Sequence, residues 1–287
     1  MDEHQVRAVI LAGGKGKRMR SDLPKVLHEI HGKSMIEHAV DHVRAAGVAE
    51  VIVVVGYRRD LVIARLGDRV RFATQEEQLG TGHAVQQALP LLAGASGPVV
   101  ICYGDMPLLN PATIRALIGA QTQQGVSGAI LTVVLDNPPD FGRVIRDADG
   151  GVRKVVEVKD CTAEQIVLKE VNVGVYCFDA GALQWALPRL SNENAQHEYY
   201  LTDVVGLLAE AGHRVETVRT ENLEETLGIN DHAHLQFAER LRDIEYAESL
   251  YELVDAAVAL ARQQAAPSSI ATEAADTPPR YGRADGS

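Results

Sequence analysis

Cysteine is scarce in this sequence. The three residues, Cys102, Cys161 and Cys177, are odd in number and match no zinc or redox spacing. Reduced thiols are expected, as in a cytoplasmic protein, and a disulfide framework is not. Long apolar runs are missing too: none approaches the ~18 residues that would span a bilayer. The start, MDEHQVRAVILAGG, is acidic where a secretory signal would be basic. The expectation is a cytoplasmic protein with no membrane partner. Positive charge is in deficit, with 28 Lys and Arg against 39 Asp and Glu and a formal net charge of −11. A field of that sign argues against general nucleic-acid binding. Any anionic ligand must therefore meet cations gathered locally. No internal repeat is visible.

What is present is an alternation. With 287 residues, 46% of them hydrophobic, the chain can bury a large core. Residues 6–12, 51–55, 70–73, 99–103 and 129–135 read as strands, and 35–46, 60–66, 81–92 and 111–124 as helices. The strands are apolar throughout, not alternately, so both of their faces should be covered. The pattern predicts a doubly wound α/β fold with a mixed, mostly parallel sheet. In such sheets ligands sit beyond the carboxyl ends of the strands. After residue 140 the pattern loosens into strands at 143–146, 152–158, 171–178 and 214–218 and helices at 180–190 and 201–211. Three parts are expected: a main domain over 1–230, a helical arm over 231–264, and a disordered tail over 265–287 rich in Pro, Ser, Ala, Thr and Gly.

The most informative segment follows the first strand: Leu11-Ala12-Gly13-Gly14-Lys15-Gly16-Lys17-Arg18-Met19. Glycines let a backbone approach a ligand closely, and successive N–H groups can cradle phosphate oxygens. Between Lys15 and Lys25 stand five basic residues and one acid, Asp22. In so acidic a chain, that excess suits a triphosphate and a departing pyrophosphate. Two familiar phosphate motifs do not apply. Met19 stands where the dinucleotide pattern needs its third glycine, and Arg18 follows Lys17 where a P-loop needs Ser or Thr. Asp105, directly after the strand at 99–103, is placed to hold Mg²⁺ against phosphates. Asn230 can supply a second oxygen if the neighbouring Asp231 caps the helix that follows. His38 and His42 lie one helical turn apart and are read as a solvated face. No G-x-S-x-G elbow supports a hydrolase.

These residues resemble a known family. The loop, with Leu23-Pro24-Lys25-Val26-Leu27, is similar to the signature of sugar-1-phosphate nucleotidylyltransferases. Gln78-Leu79-Gly80-Thr81-Gly82-His83-Ala84, Tyr103-Gly104-Asp105-Met106-Pro107-Leu108 and Asn194-Ala195-Gln196 with Glu198-Tyr199-Tyr200-Leu201-Thr202-Asp203 are more particular. Together they resemble the uridylyltransferase domain of the bacterial N-acetylglucosamine-1-phosphate uridylyltransferase family over roughly residues 5 to 250. The resemblance implies transfer of a uridylyl group from UTP to a sugar 1-phosphate with Mg²⁺. It implies that Leu11, Ala12, Gly13, Gly14 and Gln75 hold the nucleotide, with Gly80 and Thr81 beside them. Arg18 and Lys25 would contact phosphates as catalytic groups, and Asp105 and Asn230 would bind the metal. Tyr103, Gly142, Glu157, Asn172, Tyr199 and Thr202 would form the sugar-phosphate site.

Phe141 stands where the family usually has Tyr, Val173 where Thr is common, and Lys17 where Thr is usual. The first two keep another hexose 1-phosphate, or dTTP, open as a substrate. A catalytically silent regulator that binds a nucleotide sugar is the alternative of another class. Hexapeptide repeats of the family's acetyltransferase half are missing, so that activity is not expected, and a monomer or dimer is.

Overall fold

The computed structural model describes residues 5–243. Eleven strands run through them: β1 (Arg7–Ala12), β2 (Glu29–Ile30), β3 (Lys33–Ser34), β4 (Glu50–Val55), β5 (Arg71–Thr74), β6 (Pro98–Tyr103), β7 (Val126–Val134), β8 (Arg143–Arg146), β9 (Val152–Val156), β10 (Glu170–Asp179) and β11 (Arg214–Arg219). Seven form the path β11-β7-β10-β6-β1-β4-β5; β8 joins through β10 and pairs with β9, while β2 and β3 make a separate hairpin. β1 is parallel to both β4 and β6, and β11 is parallel to β7. β10 runs antiparallel between β6 and β7. The sheet is therefore mixed and mostly parallel, as the alternation predicts.

The uniform apolarity of the strands has a simple cause. Ala8, Ile10 and Ala12 of β1 face one core, and Val9 and Leu11 face another on the opposite side of the sheet. The helix Met35–Ala45 covers the first face with Ile36, Ala39, Val40 and Val43, an i, i+3, i+4, i+7 stripe. Each fully buried side chain such as Val40 contributes about 1.5–3 kcal/mol. The stripe starts at a capping box in which the Ser34 N–H donates to Glu37 Oε2 at 3.0 Å. His38 of this helix is half-buried and donates to the Ile30 carbonyl at 3.1 Å, so the expectation of a solvated histidine face does not hold.

The helix predicted over 81–92 is two pieces, Thr81–Gln86 and Leu89–Leu92. Pro90 is the reason: lacking an N–H, it is tolerated in the first turn of a new helix and not inside a continuing one. The helix predicted over 180–190 likewise ends at Ala186 and tightens into a 3-10 turn containing Pro188. Residues 232–243 are helical, while the continuation expected to Gln264 and the tail from Ala265 lie outside the described residues. The chain divides into two units at Arg240/Leu241, and everything below concerns the first. No helix among the described residues is long and apolar enough to cross a membrane.

Candidate active site

The sheet creates a crevice by its connectivity. From β1 the chain passes to β4 and β5 on one side, then returns to β6 on the other side of β1. Strand order reverses at β1, so the loops after β1 and β6 diverge and leave room beyond their carboxyl ends. Hydrogen bonds lock those loops to the strand tips: Gly104 N–H to the Leu11 carbonyl at 3.0 Å, Tyr57 N–H to Gly13 at 3.1 Å, and Gln75 N–H to Val55 at 2.8 Å.

Two adjoining cavities occupy this end. One, of about 320 Å³, is walled by Leu11, Ala12, Gly13, Gly14, Lys25, Val26, Gln75, Gln78, Gly80, Thr81, Ala84, Tyr103, Asp105 and Glu198. The other, of about 270 Å³, is walled by Asp140, Phe141, Gly142, Glu157, Asn172, Val173, Gly174, Tyr176, Gln196, Tyr200 and Thr202, and shares Thr81, Tyr103 and Glu198 with the first. Residues assigned in sequence to a nucleotide thus gather in one cavity. Those assigned to a sugar phosphate gather in its neighbour, except Tyr199.

In the first cavity the buried Gln75 side chain donates to the Gly80 carbonyl at 3.0 Å and lies 3.1 Å from His83 Nδ1. It therefore fixes the turn leading into the helix at Thr81. Of the five basic residues of the loop segment, only Lys25 is on the wall. Lys15 lies over the Tyr57 ring, and Lys17, Arg18 and Arg20 are exposed. Arg18, expected to act on phosphates, reaches neither cavity wall, and its charge helps hold the Asp231 carboxyl below its usual range after the His234 backbone bond. The loop ends where His232 Nε2 donates to the Met19 carbonyl at 3.0 Å.

Lys25 is the junction of the site. Its ammonium contacts Asp105 Oδ2 and donates to Asn230 Oδ1 at 3.1 Å. Asn230 is brought there by its neighbour: the Ile229 N–H donates to the Asp105 carbonyl at 2.9 Å, and Ile229 is fully buried beside Ile30 and Met35. Asp231 Oδ1 accepts the His234 N–H at 2.9 Å and caps the helix, which leaves Asn230 to the site. One carboxylate oxygen and one amide oxygen thus converge on a single cation. An all-oxygen pair with so few protein donors suits Mg²⁺, which keeps several waters and takes its remaining ligands from phosphates. Among the described residues no three His, Cys, Asp or Glu side chains gather as a metal cluster.

Backbone irregularity shapes the second cavity. Alternation along β10 places Asn172, Gly174 and Tyr176 on one face, and where the β10–β7 register shifts between Asn172 and Tyr176, Val173 reaches the same wall. Asn172 is buried, its Nδ2 donates to the Tyr176 hydroxyl at 2.8 Å, and its Oδ1 has no partner. Whichever way the amide is turned, one polar atom is left for a ligand. Opposite, Thr202 Oγ1 donates to Glu157 Oε1 at 3.0 Å. Burial raises the Glu157 carboxyl, with Asp160 and Glu198 adding to it and Thr202 opposing. Burial also pushes the Tyr103 hydroxyl well above its usual range, so it acts as a neutral hydrogen-bonding group.

Tyr199 works through its backbone. Its N–H donates to Leu79 at 2.8 Å and its carbonyl accepts from Gly82 at 2.7 Å. Glu198, Gln196 and Tyr200 stand on the walls instead, residues quoted in the sequence motif without a role. Val26, Gln78 and Ala84 are likewise motif residues without an assigned role; Asp140 carried no sequence signal and is a wall residue by virtue of the fold alone.

Residues 8–143 match the MobA-like NTP transferase domain. Proteins named Bifunctional protein GlmU are also similar. That of Bacillus velezensis is 46% identical over 232 residues, covering 81% of this chain and 51% of that protein. The one from Brevibacillus brevis is 45% identical over 235 residues, 82% of this chain and 51% of the relative. The one from Acetivibrio thermocellus is 46% identical over 234 residues, with the same two shares, 82% and 51%. The chain spans about half the length of the curated relatives it matches.

Proposed function

We propose, from the match of residues 8–143 to the MobA-like NTP transferase domain, that this chain transfers the uridylyl group of UTP to N-acetylglucosamine 1-phosphate. The products are UDP-N-acetylglucosamine and pyrophosphate. One observation carries the reading: two cavities at the sheet's switch point share a wall, with Lys25, Asp105 and Asn230 converging beside it. A two-substrate transfer needs that arrangement, in which the attacking and leaving groups meet across one phosphorus.

A phosphate oxygen of the sugar phosphate attacks the α-phosphorus of UTP, a new P–O bond forms, and the bond to the β-phosphate oxygen breaks. The second pKa of a phosphate monoester is about 6, so the nucleophile is already ionised at neutral pH. No general base is required, and catalysis rests on positioning and charge neutralisation. Asp105 and Asn230 would hold Mg²⁺, which when bound supplies positive charge to the triphosphate. Gln75 and the Leu11–Gly14 backbone orient the nucleotide. Lys25 leaves its carboxylate partner to meet a phosphate oxygen. The unpartnered amide atom of Asn172 and the Glu157–Thr202 pair receive sugar hydroxyl or amide groups.

A second reading is another hexose 1-phosphate or dTTP, and Phe141 and Val173 on the sugar-side wall are what favour it. The test is incubation of the full chain with Mg²⁺, crossing UTP and dTTP with a panel of sugar 1-phosphates and identifying products by mass. UDP-N-acetylglucosamine as the dominant product supports the first reading; preference for a different pair supports the second. We further propose that the protein is cytoplasmic and works as a monomer or dimer.

A further inference from the structure

The segment at residues 194–201 is held at two places, and each belongs to a different cavity. On the nucleotide side it is bonded three times: Tyr199 N–H to the Leu79 carbonyl at 2.8 Å, Gly82 N–H to Tyr199 at 2.7 Å, and Leu201 N–H to Thr81 Oγ1 at 3.1 Å. On the sugar side it is held by the turn Val158–Asp160, which directly follows Glu157. Asp160 Oδ1 accepts the Ala195 N–H at 2.9 Å, and its Oδ2 accepts the Tyr200 hydroxyl at 3.2 Å. Lys159 Nζ adds a bond to Gln196 Oε1 at 2.6 Å, and Gln196 Nε2 donates to the Tyr200 hydroxyl at 2.9 Å.

We propose that Asp160 is a positioning residue for the sugar-phosphate cavity, holding Tyr200 and Gln196 at the wall so that the cavity keeps its shape. Asp160 is on neither cavity wall itself; it holds Tyr200 directly, and Gln196 through the neighbouring Ala195 N–H and the Tyr200 hydroxyl. The effect is one-sided. Without Asp160 the sugar-side end of the segment is released from its two carboxylate bonds, while the three bonds beside Leu79–Gly82 persist. The acceptor geometry matters more than the charge: an asparagine amide at 160 can still accept the Ala195 N–H and donate to the Tyr200 oxygen. The proposal rests on the two-substrate reading above.

The experiment compares Asp160→Ala, Asp160→Asn and Tyr200→Phe in the full chain. Asp160→Ala should raise KM for the sugar 1-phosphate about tenfold, the scale expected for losing the two hydrogen bonds that brace the wall. UTP affinity, measured by calorimetry without sugar phosphate, should stay within about twofold. Asp160→Asn should restore most of the KM, and Tyr200→Phe should reproduce part of the Asp160→Ala defect. Unchanged KM in Asp160→Ala, an equal loss of UTP affinity, or an asparagine variant as impaired as alanine overturns the assignment. Hydrogen exchange separates this from failure of the functional reading. Asp160→Ala should speed exchange at the Ala195 N–H while Tyr199 and Gly82 stay protected, whether or not the wild-type chain turns over any sugar phosphate. Unchanged exchange at Ala195 removes the brace.

Discussion

Replacing Gly16 with alanine separates two costs that are usually confounded. Gly16 has φ +64°, and a Cβ built on it would lie 2.5 Å from Lys25 Cβ, with Lys25 Cγ and Cδ at 3.2 and 3.3 Å. The first cost is conformational, about 1–2 kcal/mol for an L-residue held in the left-handed region. The second is steric. Carbon atoms rest about 3.5–4.0 Å apart, so the loop and the Lys25 stem must separate by roughly 1 Å, a misplacement that can cost about 10²-fold in rate. Gly150, in the turn between β8 and β9, provides the control. Its φ is +85° and nothing lies within 4 Å of an added Cβ, so Gly150→Ala carries the strain without the collision. Urea unfolding should show Gly150→Ala losing about 1–2 kcal/mol and Gly16→Ala losing at least that much, since its collision adds to the strain. In a pyrophosphate-release assay, kcat/KM should fall about 10²-fold for Gly16→Ala alone. Normal turnover in Gly16→Ala, or equal impairment of the two variants, would refute the idea that Gly16 is small in order to seat Lys25.

Asp105→Asn and Lys25→Ala should each lower kcat by at least about 10²-fold, the scale of losing one preorganised electrostatic group; near-normal turnover of Asp105→Asn with Mg²⁺ would remove the metal assignment. Asn172→Ala should raise KM for the sugar phosphate about tenfold or more, since burial of an unpaired partner costs about 1–3 kcal/mol; calorimetry with UTP alone should show no change, and a parallel loss there would place Asn172 on the wrong substrate. Burial, with Glu157 and Asp160 adding negative charge against Lys154, raises the Asp203 carboxyl from 3.8 to about 6. A carboxyl that binds its proton more tightly when folded contributes most stability below its ordinary value and loses that contribution as pH rises through its folded value. Asp203→Asn should therefore raise the melting temperature relative to wild type at pH 7, with the gain shrinking toward pH 4. A gain independent of pH would contradict this.

The nucleotide side was legible because its residues are contiguous with strand ends. Leu11 and Ala12 end β1 and Gly13 and Gly14 follow it, Gln75 follows β5, and Asp105 lies two residues beyond β6, so reading the strands also placed the ligand-facing loops. The helix break at Pro90 was legible in principle, since a proline inside a helical pattern marks an end or a kink. The antiparallel insertion of β10 was not, because an apolar run covered on both faces looks the same in either direction. Nor was the second cavity's wall. Val173 joins Asn172 and Tyr176 on it at a register shift that leaves no local sequence mark. The meeting of Lys25 with Asn230, 205 residues apart, is a product of packing around Ile229. Sequence supplied the chemistry of those residues, and resemblance supplied their association. Arg18 shows the limit of reading charge density: in a run of basic residues, only the one whose stem is packed against Gly16 is turned to the cavity.

The central claim is that a sugar phosphate attacks the α-phosphorus of a nucleotide held beside Lys25, Asp105 and Asn230. Its most direct test follows label from UTP carrying radioactive phosphorus at the α or the γ position, with N-acetylglucosamine 1-phosphate present or withheld and Mg²⁺ present or chelated. The α label should appear in the nucleotide sugar and the γ label in pyrophosphate, in equal amounts, and only when both sugar phosphate and Mg²⁺ are present. Release of the γ label as orthophosphate, or transfer of label that ignores the sugar phosphate, would contradict it.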